Sequence, residues 1–272
     1  MRTGTFLPLL PLTILLLMLP MSLSSTVTPT DAAEPPESPR QFYEIRTYTI
    51  LNSEGEAALD LYLKEALLPA LKLQGMGPIG VLASAPQDEN KQRRVVMVTP
   101  LTRPAQILSI REKLAADKEY QVAAAEFLAR ENENPAYGRI ITELSVSMDC
   151  MKALVVPEGT LENSERVYEL RTYESVNERV GDLKVEMFNS GEVPIFYATG
   201  ITPIFISQTV VGPQMPSLTY LSVFPNDAAR LAAWTAFRSH PDWKVLSAEK
   251  KYLGTVSRID KYILVAKPYS QM

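Results

Sequence analysis

The 272-residue sequence predicts an α+β protein made of two tandem β-α-β-β-α-β units, whose two sheets meet to close one barrel within a single chain. Three observations carry that expectation. "YEIRTY" at residues 43–48 returns almost unchanged as "YELRTY" at residues 168–173, and near-identity at a fixed spacing marks an internal repeat. At the same offset of 125 positions Asn52 meets Asn177, Pro69 meets Pro194, Gly75 meets Gly200, Pro78 meets Pro203, Ile79 meets Ile204, Val98 meets Val223 and Pro100 meets Pro225, with no gap. Strand and helix signals run in the same order through both copies, and a sheet covered by helices on one face needs a second partner for the other.

Each element follows from its residues. "QFYEIRTYTI" and "RVYELRTYES" are aromatic and β-branched with two-residue alternation, so each opens its unit as a strand. A helix comes next. In the first unit Ser53 and Glu56 form a capping box ahead of the run 54–74, and Gly75 suits the left-handed turn that closes a helix. In the second unit Val180, Leu183 and Met187 fall at helical spacing and Gly200 closes the helix. Pro69 and Pro194 lie inside these helices and predict a kink or restart, because proline lacks the donor and crowds the preceding turn.

"PIGVLAS" and "RRVVMVTP" then predict two strands in the first unit, as do "PIFISQTVV" and "LTYLSVFP" in the second. A second helix spans about 105–129 and about 227–238, and the closing strands are "RIITELSVS" and "SRIDKYILVA". The offset has fallen to 119 at the last strand, so the first unit carries about six extra residues in or after its second helix. Each unit is therefore the split βαβ, or ferredoxin-like, arrangement. The first repeat is assigned to 41–150, a linker to 151–166 and the second repeat to 167–272, together forming an intrachain dimeric α/β barrel.

The N terminus differs in kind. Arg2, the apolar run "FLPLLPLTILLLML" and the small residues after it have the layout of a secretory signal over residues 1–24, with cleavage expected between about Ser24 and Ala32. Residues 25–40 are Pro-rich and polar, a disordered spacer. Export to the periplasm or medium is expected. The rival is an uncleaved N-terminal anchor, against which Pro8, Pro11 and Pro20 interrupt the apolar run. Membrane contact is expected only through this segment.

Composition excludes several functions. A net charge of −4 and isolated basic pairs at Arg93-Arg94 and Lys250-Lys251 give no field for nucleic acid. His240 is the single histidine, so no metal site built on a histidine cluster can form, and neither a phosphate-cradling Gly-rich loop nor a "GxSxG" elbow is present. No cofactor or metal is expected. Cys150 is the single cysteine and reads as a small filler after a strand.

Alternation places Tyr43, Ile45 and Thr47 on one strand face and Glu44, Arg46 and Tyr48 on the other; the same division separates Tyr168, Leu170 and Thr172 from Glu169, Arg171 and Tyr173. The apolar sets are assigned to the helix-packed core and the Glu-Arg-Tyr sets to the barrel interior. There they form either an ion-paired lattice that fixes sheet register or a ligand site. In the ligand alternative Arg46 and Arg171 meet a carboxylate or oxyanion, held by Glu44 and Glu169, with Tyr48 and Tyr173 as donors. Trp234 and Arg238 share a helix face and are expected to stack, with Trp243 behind them, either as a packing cluster or as aromatic walls for an apolar ligand; His240 caps or packs the helix end and counts with these three as a ligand-binding candidate. Only "DKEY" at 117–120 stands at the equivalent place in the first unit, so any site there is one-sided.

The two "YE[IL]RTY" starts, "WTAFRSHPDW" at 234–243 and the closing "GTVSRIDKYILVAKPYSQM" resemble the NIPSNAP family over residues 41–272, most clearly in the second half. The resemblance implies a dimeric α/β barrel, relatives in bacteria, and mitochondrial relatives in eukaryotes that act as adaptors in mitochondrial quality control. It implies no particular reaction and supplies no catalytic residues. The exported N terminus departs from the mitochondrial members, so their adaptor role does not transfer with the fold. Two functions stay open: a non-catalytic binding or adaptor module outside the cytoplasm, or a small-molecule enzyme, such as a cofactor-independent monooxygenase, using the barrel interior. A small apolar or acidic ligand and a homo-oligomer are the partners considered.

The expected mature N terminus lies between residues 25 and 33. Mass spectrometry of the soluble protein from its native host checks this, and an intact Met1 on that form would contradict it.

Overall fold

Strand β1 (Phe42–Thr49) fixes the register of the first repeat, pairing antiparallel with β3 (Arg94–Leu101) on one side and β4 (Arg139–Ser147) on the other. The computed structural model describes residues 39–272 together with Met1 and Gly4; the expected signal, its cleavage zone and all but the end of the spacer lie outside the described residues. Between β1 and β3 come α1 (Ser53–Tyr62), a π turn (Leu63–Leu67), α2 (Leu68–Leu73) and β2 (Gly80–Ser84); α3 (Gln106–Ala116) and α4 (Lys118–Leu128) precede β4. The second repeat runs β5 (Val167–Glu174), α5 (Glu178–Met187), a π turn (Phe188–Glu192), α6 (Val193–Ala198), β6 (Thr202–Val211), β7 (Ser217–Phe224), α7 (Asp227–Ser239), α8 (Pro241–Ser247) and β8 (Arg258–Ala266). The repeated β-α-β-β-α-β order is present. Among the described residues, no helix is long and apolar enough to cross a membrane.

The strands close in the order β1-β3-β2-β8-β5-β7-β6-β4. Two seams join the repeats: β2 with β8, from Leu82–Ala266 to Ser84–Leu264, and β4 with β6, from Leu144–Val211 to Ser147–Ser207. Each seam pairs an edge strand of one repeat with an edge strand of the other, and closure satisfies backbone groups that a lone four-stranded sheet would leave open at its edges.

Three clusters divide the core. Tyr43, Ile45, Val96 and Val98 of the first repeat join Tyr168, Leu170, Leu221 and Leu264 of the second in a cluster with no helix residue. This is the barrel interior, crossed by the Tyr43–Phe205 ring contact at 4.8 Å. Tyr48 instead packs with Leu59, Leu63 and Leu67, and Tyr173 with Phe188, Phe196 and Trp234, each under its own helices. The assignment of faces is therefore reversed: the apolar Tyr-Ile/Leu rows point into the barrel and the Glu-Arg-Tyr rows point out at the helices. Alternation groups residues by face but cannot say which face turns inward when both are buried.

Local chemistry explains the remaining departures. The helix cap is Asn52, whose side chain accepts from Gly55 N at 2.7 Å, and its repeat counterpart Asn177 accepts from Val180 N at 3.0 Å; the Ser53 capping box does not form. Gly75 and Gly200 close their helices at φ of 78° and 84°, a region where a β-carbon would be strained. At Pro69 and Pro194 the helix does not simply kink. A π turn precedes each proline, widening the helix where the proline has no N–H to give.

The second helix of each unit is two helices. Asp117 ends α3 and caps α4, accepting from Tyr120 N at 3.0 Å, while His240 ends α7 and caps α8, its Nδ1 accepting from Asp242 N at 3.3 Å. The gapless offset also fails at the third strands. Ile45 faces Val98, whereas Leu170 faces Leu221, so the first repeat holds two more residues in its β2–β3 hairpin, and the Val98/Val223 and Pro100/Pro225 identities are coincidental.

The seams make the two repeats one cooperative unit. Residues 41–150 expressed alone should be insoluble or should pair with a second copy. A monomer with sharp, dispersed amide signals would contradict an architecture in which each sheet completes the other.

Candidate functional site

The outer row of β5 is the floor of the site. Glu169 is fully buried and binds on both sides: one oxygen accepts from Arg171 Nε, and the other accepts from Arg230 Nη1 at 2.8 Å and Trp234 Nε1 at 3.0 Å. Arg171 lies over the Trp234 ring, 3.6 Å from its centroid, and its Nη1 donates to the Tyr173 hydroxyl at 3.3 Å. A buried carboxylate needs this many donors to offset its lost hydration. Helical spacing made Arg238 the expected stacking partner of Trp234; the partner is Arg171, because Trp234 turns down onto the sheet. Arg238 stays exposed at the rim and donates to Thr235 Oγ1 at 3.2 Å.

The wall comes from α5 and its π turn. Lys184 Nζ donates to Glu192 Oε2 at 2.7 Å, both side chains almost wholly buried. Eight residues apart, they would diverge around an α-helix. The π turn absorbs one residue, so position i+8 falls where i+7 normally would, back on the face of i. Burial raises the Glu192 carboxyl above the usual carboxylate range, opposed by Lys184 and Arg171. Three aromatic rings surround the Lys184 ammonium, Phe188 at 4.9 Å, Tyr173 at 5.4 Å and Trp243 at 5.6 Å from their centroids.

Floor and wall enclose a cavity of about 350 Å³, lined by Arg171, Tyr173, Trp234, Arg238 and Trp243 of the expected candidates, with Lys184, Glu192, Met187, Phe237 and Tyr252 among the others. Trp243 packs on Phe237 at 4.4 Å. Burial raises the Tyr173 and Tyr220 phenols, which share a 2.8 Å hydrogen bond on the helix side of the sheet and stay protonated. His240 lies apart, at a surface groove with Pro194 and Leu246, and acts as the cap already described.

The first repeat does not reproduce this space. Glu44 accepts from Arg46 at 2.7 Å, and Arg46 donates to Tyr48 at 3.3 Å. Above them Phe127 stacks on Tyr62 at 4.0 Å, Tyr137 meets Tyr48 at 5.4 Å, and the Tyr62 and Tyr120 hydroxyls bond at 2.9 Å. Aromatic rings fill the layer. At the repeat offset Lys184 and Glu192 correspond to Leu59 and Leu67, both buried in the first-repeat core. That double exchange was visible in the aligned repeats and pointed to Lys184 and Glu192; their spacing of eight hid them.

Residues 168–271 match the NIPSNAP family model. The second repeat is a NIPSNAP domain. A Fusobacterium nucleatum protein with a provisional monooxygenase designation superposes on this NIPSNAP-domain chain with a TM-score of 0.53 at 10% identity, covering 84% of this chain and 92% of its own. A Lactobacillus acidophilus protein with the same designation gives 0.51 at 12% identity, covering 84% and 94%. These likenesses show the shared barrel fold. A NIPSNAP-like domain protein from Burkholderia xenovorans is 17% identical over 39% of this chain and 90% of its own, with a TM-score of 0.36. No curated protein matches the chain in sequence.

Other reactive groups are quiet. Burial pushes the Cys150 thiol up to about 12, so it is not a thiolate nucleophile at neutral pH. Among the described residues, no three His, Cys, Asp or Glu side chains group as a metal site. Among the described residues the barrel interior is closely packed, and a cavity of about 230 Å³ stands at one mouth, bordered by Thr47, Thr172, Glu143 and Asp260.

The two arginines should respond unequally to removal. Arg46→Met strands Glu44, which has no other partner among the described residues, and should cost about 3–5 kcal/mol. Arg171→Met leaves Glu169 with Arg230 and Trp234, so roughly 1–3 kcal/mol is expected. Urea melts of both variants measure this, and an equal or reversed order would refute the assigned networks.

Proposed function

We propose that this NIPSNAP-domain protein is a non-catalytic binding module acting outside the cytoplasm, and that its ligand occupies the helix–sheet cavity of the second repeat. The carrying observation is the asymmetry between the repeats. The same scaffold is plugged with tyrosine and phenylalanine in one half and hollow in the other. A cavity of about 350 Å³ is within the range of roughly 300–1,000 Å³ usual for small-molecule sites. Its polar groups are held in fixed pairs, Arg171 with Glu169 and Lys184 with Glu192, which suits recognition of a ligand in one orientation.

The designation of the two Fusobacterium and Lactobacillus neighbours favours a second reading, an oxygenase acting in the same cavity; at their level of identity it rests on fold analogy.

Native mass spectrometry of the purified protein separates the readings. A copurifying small molecule is expected, recovered unchanged after aerobic incubation, and absent from Val256→Trp, which fills the cavity from its lining. Gain of an oxygen atom by the ligand would favour the oxygenase. Ligand retained by a folded Val256→Trp would place the site elsewhere.

A further inference from the structure

We infer that the cavity selects an apolar carboxylate, its charge seated on Arg171 and its hydrocarbon body held between Trp234, Phe237 and Trp243. This rests on the proposed binding role and adds the ligand's class. The first argument is the unused donor. Arg171 commits Nε to Glu169 and Nη1 to Tyr173, but its Nη2 has no hydrogen-bond partner among the described residues, although the side chain is only 15% exposed. Lining the cavity without a protein acceptor, this guanidinium nitrogen is free to bind a ligand, and a carboxylate oxygen is the acceptor it suits best. Stacking on Trp234 holds the guanidinium in one plane, so this edge is presented ready-oriented.

The second argument is charge. Lys184 and Glu192 neutralise one another, as do Arg171 and Arg230 with Glu169 and Asp227. Arg238 at the rim is the remaining charge among the groups that line or support the cavity, and it is positive. A monoanion brings the site to neutrality. A cationic ligand would meet the uncompensated Arg238, and a neutral one would give Nη2 only an uncharged acceptor. The walls exclude a small hydrated anion for the opposite reason: Met187, Phe237, Val256, Ile259 and the two tryptophans offer it nothing in exchange for its water.

The molecule carries its own reporter. Its two tryptophans, Trp234 and Trp243, both line this cavity, so intrinsic fluorescence of the full chain reads occupancy. Decanoate and decanol, equal in chain length and different in charge, are titrated at pH 8. Decanoate should bind at least about tenfold more tightly, the effect of one charge-assisted hydrogen bond. Arg171→Gln should raise the decanoate Kd to that of decanol and leave decanol unchanged, while Arg179→Gln, which removes an exposed cation from α5, keeps the preference. Equal affinity of the wild-type protein for both probes overturns the inference without any variant, as does a preference that survives in Arg171→Gln. Silence of both tryptophans towards both probes would defeat the binding reading itself, a different outcome.

Discussion

Closure of the barrel is the constraint on which the rest of this structure depends. Once β2 joins β8 and β4 joins β6, the central strands β1, β3, β5 and β7 have one face in the interior and the other under helices. A sheet buried on both sides has no solvent face on which to leave charge. The interior takes the apolar rows because eight strands leave little more room than their own side chains fill. The Glu-Arg-Tyr rows must then be satisfied in the helix layer, and Glu169 is the clearest case: fully buried, it draws donors from β5 and from α7. This one carboxylate fixes the tilt of Trp234 and the plane of Arg171, and so the floor of the cavity.

The repeats show what one scaffold can hold. In the first, Leu59 and Leu67 are both buried in one apolar cluster and aromatic rings fill the layer above Arg46. In the second, the same positions carry Lys184 and Glu192, and the space is left open. A buried ion pair is weak evidence of stability, since well-packed apolar side chains of similar size serve as well or better. The leucine pair in the first repeat makes that comparison within one molecule. The charged version is more intelligible as part of a recognition site than as a structural support.

The π turns connect backbone to site. A proline inside a helix leaves a carbonyl without its donor, and a widened turn accommodates the break without ending the helix. The added residue also rotates the succeeding turn, bringing position 192 onto the face of position 184. In an unbroken α-helix these two residues would stand about 80° apart around the axis and more than two turns apart along it, so the sequence pattern alone does not make them a pair.

The repeated hexapeptides, the paired prolines and glycines and the strand patterns determined the fold on their own, because periodicity, turn chemistry and an internal repeat are local signals that the chain expresses wherever it folds. They also marked Arg171, Tyr173, Trp234, Arg238 and Trp243, five residues that share one cavity. Tertiary structure alone decided that the Glu-Arg-Tyr rows face the helices, that Arg171 and not Arg238 lies on Trp234, and that one repeat is hollow while the other is filled. The reason is common to all three. Alternation and spacing say which side chains travel together, whereas the direction they face and the space they leave are set by partners distant in the chain, and here by a barrel that buries both sides of its central strands.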